Sequence, residues 1–280
     1  MIIRPYKEQD GIFVFDEGVC EEHSDYHAHD LDKLYEIENN HFWFIARKEL
    51  IFKYLSKYIP KDTKIIEIGA GTGNVSRYLM SKGYKNISVG ELHMNGLRYA
   101  SSYGIENRYQ FDVFNPPFRS EFDCINLFDV IEHFDDDFQA LACVRLMLKD
   151  DGYVTLTVPA HSWLWNASDA DAGHKRRYSL KSLNKLLRES GFDIHVMRYF
   201  FVSITPLLFL RTLLYPDRGR VKQHDDAVLG DVGGFINSFL VFLTRLEHKI
   251  IRFIPNFFGG SIIAIATKCK VPNKENLDNS

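Results

Sequence analysis

Residues 64–74, KIIEIGAGTGN, constrain this chain more than any other stretch. Ile65, Ile66 and Ile68 form a short β-branched run, as expected of a strand buried on both faces. Gly69, Gly71 and Gly73 then stand at alternate positions around Ala70, so the backbone can turn sharply and approach a ligand closely. The turn feeds NVSRYLMSKG (74–83), a helical pattern stopped by Gly83. A helix N-terminus there favours a negative group such as a carboxylate. The spacing is GxGxG, not the GxGxxG of dinucleotide folds, which disfavours a nicotinamide enzyme.

Strand and helix patterns alternate beyond the turn. NISVGEL (86–92), RYQFDV (108–113), FDCINLFDV (122–130), GYVTLTVPA (152–160), FDIHVMRYFF (192–201) and SIIAIATK (261–268) read as strands. MNGLRYASSYG (94–104), DDDFQALACVRLMLKDDG (135–152) and SLKSLNKLLRESG (179–191) read as helices. Residues 30–58 carry apolar side chains at helical spacing, and Pro60 ends the pattern. The expected fold is Rossmann-like α/β: a doubly wound, seven-stranded, mainly parallel sheet with an N-terminal helical region and a C-terminal helical insertion. The expected parts are an acidic extension (1–29), a core with its N-terminal helix (30–200), a helical cap (201–260), a last core strand (261–270) and a disordered tail (271–280).

Ligands of such sheets sit at the carboxyl ends of the strands. Glu91 ends the second strand, where a carboxylate can accept from two ribose hydroxyls. Asp112 ends the third, where an adenine amino group would be met, and Asp129 ends the fourth. Each acid alone reads equally as a cap or loop residue; their common register is what points to a site.

Composition removes several classes. Hydrophobic residues make up 45% and charged residues 25%, too apolar a mixture for disorder. The four cysteines are scattered without a CxxC, which disfavours a zinc ribbon, a thioredoxin-like site or a disulfide framework and suits a reducing cytoplasm. Net charge is −3, so nothing advertises a nucleic-acid partner. Residues 1–40 hold 11 acidic and 3 basic side chains, which reads as a solvated acidic segment. Within it, His23, His27 and His29 beside Asp25 read as a polar surface loop, and no metal-ligand set is expected in the chain. The opening MIIRPYKEQD has no apolar core of a signal peptide, and no uncharged apolar stretch reaches the ~20 residues of a membrane span. The expected location is the cytoplasm, with peripheral contact at the inner membrane face as the alternative.

The ordered set EIGAGTGN, GELHMNGLRYA, FDVFNPPF, FDCINLFDVIEHFDDD and LKDDGYVTLTVPA resembles the class I S-adenosylmethionine-dependent methyltransferases over about residues 40–200. The resemblance implies that Glu67, Gly69, Ala70, Gly71 and Gly73 line the methionine end of S-adenosylmethionine. It implies that Glu91 with Leu92 holds the ribose, that Asp112 and Val113 meet the adenine, and that Phe128 and Asp129 close the pocket. The run Asp129 to His133 is similar to a subgroup signature that places His133 near the transferred methyl. His41 to Arg47 and the segment Val158 to Tyr178 resemble bacterial members that accompany cell-surface glycan or lipid biosynthesis. The family pattern has an acid right after Asp169; this chain has Ala170, with Asp171 one place later. Asp169, Arg177 and Tyr178 are the implied substrate contacts.

The residues themselves add detail. Trp43 and Phe44 could lid a cofactor, and an aromatic face attracts a sulfonium. Arg47 shares their helical face and could pair with a cofactor carboxylate. Arg176 and Arg177 suit phosphate or carboxylate on a substrate. An oxygen acceptor needs a base, and His133, His161 and His174 all fall in loops after the fourth and fifth strands. NPPF (115–118) matches the motif of enzymes that methylate planar amino groups, but it follows the third strand rather than the fourth and so reads as a rigid loop. Residues 199–215 and 234–254 are apolar or amphipathic, and the Gly-rich stretch 216–234 between them reads as a mobile lid. They form either a helical cap or a groove for a lipid chain at a membrane surface.

The expected activity is O-methylation of a small-molecule, glycan or lipid-linked acceptor. N-methylation and a catalytically silent partner subunit are the alternatives.

Overall fold

The computed structural model describes residues 1–16, 28–217 and 233–269. The histidines at 23 and 27, the 218–232 part of the expected lid and the expected disordered tail lie outside the described residues. Among the described residues, nine strands form one sheet in the order β1-β2-β5-β4-β3-β6-β7-β9-β8. These are β1 (Lys7–Gln9), β2 (Ile12–Val14), β3 (Ile65–Ile68), β4 (Ile87–Glu91), β5 (Asn107–Gln110), β6 (Phe122–Phe128), β7 (Leu148–Pro159), β8 (Phe192–Phe200) and β9 (Ser261–Lys268).

Sequence reading expects seven strands, and the structure adds two. Residues 7–14, inside the acidic segment, form an antiparallel hairpin whose second strand pairs in parallel with β5. Arg4 fastens the hairpin: its guanidinium donates to Asp16 Oδ1 at 2.6 Å. Asp16 in turn accepts from the Asp112 backbone N–H at 3.0 Å, across 96 residues. The remaining pairings are parallel except those of β9, which runs antiparallel between β7 and β8.

Every residue of β3 is buried. Ile66 and Ile68 join one core layer, with α5 (Asp137–Met147) and α7 (Leu180–Glu189). Ile65 joins the opposite layer, with α2 (Phe42–Tyr58) and α3 (Asn74–Ser81). This two-sided burial is why the strand is apolar at consecutive positions. The helical region 30–58 is broken into α1 (Ala28–Ile37) and α2, because the His41 ring caps α2 by accepting from the Trp43 N–H at 3.2 Å. α4 (Met94–Ser102) follows β4, and α6 (Ala167–Asp171) is a short helix beyond β7.

The cap contains α8 (Thr205–Leu214) and α9 (Gly234–Ile250). α9 lies along α2, where Arg245 grips Glu49 through two nitrogens, the shorter bond 2.6 Å long. Asn237 accepts from the Phe42 N–H at 2.7 Å. Among the described residues, no helix is long and apolar enough to cross a membrane.

Candidate active site

Strand order reverses around β3, whose neighbours are β4 on one side and β6 on the other. A crevice opens there at the carboxyl ends. It is a cavity of about 400 Å³.

The glycine turn forms its floor. Gly69 has φ +66° and lies so close to Val130 that an added Cβ would approach Val130 Cγ2 to 2.7 Å. Gly96 on α4 comes even closer to the turn, since a Cβ there would stand 2.4 Å from the Gly71 carbonyl oxygen. Gly73 lies just outside the lining; it begins α3 against Ile105 and Ala100.

Glu91 bridges the turn and β4. Its carboxylate accepts from Gly71 N–H at 2.8 Å, Leu92 N–H at 2.7 Å and His93 N–H at 3.3 Å. Burial pushes its pKa up, and these donors pull against that shift. Leu92, Asp112 and Val113 continue the wall, with Asp112 held by a 2.9 Å bond from Phe114 N–H. The NPPF loop turns away from this wall: Phe118 is buried in the core, and the Asn115 amide is spent on Asp16 at 3.1 Å.

Trp43 and Phe44 on α2 line the opposite side with Arg47, and the Trp43 ring packs 4.3 Å from that of Phe201. Arg47 does not point at open space. It forms an ion pair with Asp129, which follows β6 with φ +58° and also accepts from Thr157 Oγ1 at 3.0 Å. Glu67 lies beneath, accepting from Ser76 Oγ at 2.5 Å. Burial raises its carboxyl to about 7, opposed by that hydroxyl and by the Arg47 charge. Phe128 closes the base.

Two acids that sequence reading passed over also face the cavity. Glu38, just past the end of α1, accepts from Thr72 Oγ1 at 2.6 Å and Tyr103 OH at 2.9 Å. Burial raises its pKa. Glu132 is fully buried, and both of its carboxylate oxygens lack a hydrogen-bond partner among the described residues. The DVIEH run was the available signal for Glu132; nothing in the neighbourhood of Glu38 marked it.

His133 and His174 line the same wall, their rings edge to face at 4.8 Å. His161 does not join them. Its backbone has φ +57°, and its ring stacks on Tyr199 at 4.6 Å, outside the lining. Arg177 reaches the cavity, but its fork is occupied by Asp169, which lies behind the wall. Tyr178 is buried away from the cavity and donates to Asp137 at 2.7 Å. The helix expected at 135–152 ends at Met147, and β7 begins at Leu148.

The cavity therefore presents Glu38, Glu67, Glu91, Asp112, Asp129 and Glu132 against two facing cations, Arg47 and Arg177. An acid-rich, partly aromatic crevice suits a cationic ligand with hydroxyls and a planar base.

A family model described as a methyltransferase domain matches residues 35–196, and the chain belongs to that family. It is a methyltransferase that uses S-adenosylmethionine. No curated protein matches the chain significantly. Among solved structures, it is similar to a SAM-dependent methyltransferase from Thermotoga maritima, with TM-score 0.54 and 16% identity over 86% of this chain and 95% of that one. The YcgJ protein from Bacillus subtilis aligns at TM-score 0.52 and 16% identity, over 80% of this chain and 99% of that one. The [4+2]-cyclase SpnF aligns at 0.54 and 16%, over 82% and 83%. Such low identities concern the fold, and the cyclase is a reminder that a shared fold leaves the chemistry to the site.

Proposed function

We propose that this chain transfers the methyl group of S-adenosylmethionine to an oxygen of a lipid-linked or glycan acceptor presented at a membrane surface. The observation that carries this reading is the outer face of the cap. Fifteen of the 23 exposed large apolar side chains among the described residues lie between 207 and 258. Phe235, Phe253 and Phe257 are 87%, 72% and 79% exposed. Water-exposed apolar area on that scale marks an interaction surface. Lys249 and Arg252 stand exposed among these rings, so the surface suits an anionic bilayer. α8 connects this face to the site, because Leu208 lines the cavity while Leu207, Phe209 and Leu210 are exposed. The cytoplasmic face of a membrane is the matching location.

In this reading Glu91 accepts from the ribose hydroxyls, using lone pairs its three backbone donors leave free. Asp112 and Val113 border the adenine, and the glycine turn and Glu67 border the methionine end. Trp43 and Phe44 cover the sulfonium and exclude water. A sulfonium methyl is already a good electrophile, so in-line positioning supplies much of the rate. The acceptor hydroxyl gives up its proton at the wall formed by Glu132, His133 and His174.

The test is methyl transfer from labelled S-adenosylmethionine into a total membrane-lipid extract, together with flotation on phosphatidylcholine vesicles with and without 30% phosphatidylglycerol. Label in the organic phase and flotation only with the anionic lipid are expected. Label confined to water-soluble products would exclude a lipid-linked acceptor.

A further inference from the structure

The fold brings together three residues for which sequence reading named no joint role. Glu132, His133 and His174 each offer one donor atom, and these atoms lie within 4.8 Å of one another. Glu132 and His133 sit in the 3-10 turn Ile131–His133 after β6, and His174 comes from the loop beyond α6. We propose that this cluster binds one divalent transition-metal ion at the acceptor end of the cavity.

Three observations carry the proposal. Glu132 is completely buried, and among the described residues no other residue gives its carboxylate a hydrogen bond, whereas Glu38, Glu67 and Glu91 each have donors. A buried carboxylate without donors is costly unless a cation meets it. Its Oε1 lies 4.0 Å from His174 Nε2, so both atoms face the same small volume.

The second observation is how His174 is held. Its Nδ1 is 2.8 Å from Asp169 Oδ1, which leaves Nε2 as the outward atom. Asp169 is itself fixed by Arg177 Nε and Nη2 at 2.9 Å each and by Asn166 N–H at 3.0 Å. A carboxylate that orients the far nitrogen of an imidazole is the usual support of a metal-ligating histidine. The loop is tied to the turn as well, since Lys175 N–H donates to the Glu132 carbonyl at 2.7 Å.

The third is chemistry. Two imidazoles and one carboxylate with open positions suit manganese(II), iron(II) or zinc(II) better than magnesium. Donors on one ion at ~2.1 Å from it stand roughly 3–4 Å apart, so side-chain rotation closes the gap. An ion here would hold the acceptor hydroxyl and make its proton easier to lose. That consequence rests on the oxygen-acceptor reading; binding of the ion does not.

The test is titration of the full chain with manganese(II), followed by electron paramagnetic resonance, with zinc(II) as competitor and S-adenosylhomocysteine binding measured in parallel. One manganese per chain, displaced by zinc, is expected. Glu132→Gln and His174→Ala should each weaken binding at least tenfold while leaving S-adenosylhomocysteine affinity within about twofold. The absence of stoichiometric binding by the wild type overturns the proposal, and so does unchanged binding by both variants. Failure of methyl transfer to lipids alongside intact metal binding would count against the acceptor reading alone.

Discussion

Arg177 closes a fork on Asp169, with Nε to Oδ1 and Nη2 to Oδ2 both at 2.9 Å. Asp169 is buried, and the combined pull of His174 and Arg177 overcomes burial to hold its carboxyl below the ordinary range. The pair therefore buttresses His174 from behind.

Arg177→Lys should expose that role. A lysine keeps the charge but cannot make two parallel bonds. Activity is expected to fall roughly 10–100-fold, the usual cost of losing such support. S-adenosylhomocysteine affinity should stay within about twofold by calorimetry. A large loss of affinity would place Arg177 in cofactor binding instead.

Glu91→Ala removes the acceptor shared by three backbone N–H groups of the turn and β4. Cofactor affinity should fall by about 1.5–3 kcal/mol, the worth of hydrogen bonds to a charged group. Calorimetric titration with S-adenosylhomocysteine reads this directly. Unchanged affinity would remove Glu91 from the ribose assignment.

Glu67 sets a pH dependence of stability. Burial raises its carboxyl from 4.5 to about 7 in the folded chain. The folded state thus holds this proton more tightly than the unfolded state does. The associated stability is fully present below pH 4.5 and is lost as pH rises through about 7. At about 1.4 kcal/mol per unit, the loss is about 3 kcal/mol. Glu67→Gln should flatten the stability profile over that window by about this amount, as measured by urea denaturation at several pH values. A variant profile parallel to the wild type would contradict the shift.

Gly69→Ala combines a left-handed backbone at φ +66° with a 2.7 Å approach to Val130. A cost of about 2–3 kcal/mol is expected from backbone strain and overpacking together. The same change at Gly104, at φ +78° with nothing within 4 Å, should cost only the backbone part, about 1 kcal/mol. Equal losses at both sites would show that the Val130 contact carries no energy.

Much of the site was legible because it is local. The glycine turn and the acids at 91, 112 and 129 each follow a strand whose apolar run announces it, so their register could be read along one dimension. What was hidden depends on distant partners. β1 and β2 have three residues each, and β2 gains its place by pairing with Tyr109 and Gln110. The break between α1 and α2 rests on a histidine acting as a cap, a role rarely signalled by its type. The meeting of Glu132 with His174 spans 42 positions and needs the Asp169 buttress to exist first. His161, like His133, follows the carboxyl end of a strand, yet a single left-handed backbone angle accompanies its placement on Tyr199.

Phe200 and Ser261 are cross-strand partners, and Ser261 lines the cavity. The chain therefore leaves the sheet after Phe200 and rejoins it at Ser261, like a drawer in a cabinet. A short turn joining that pair would leave every strand of the sheet in place. The sheet that carries the glycine turn and the segment that carries α8 and α9 thus meet along the chain at a single pair of residues.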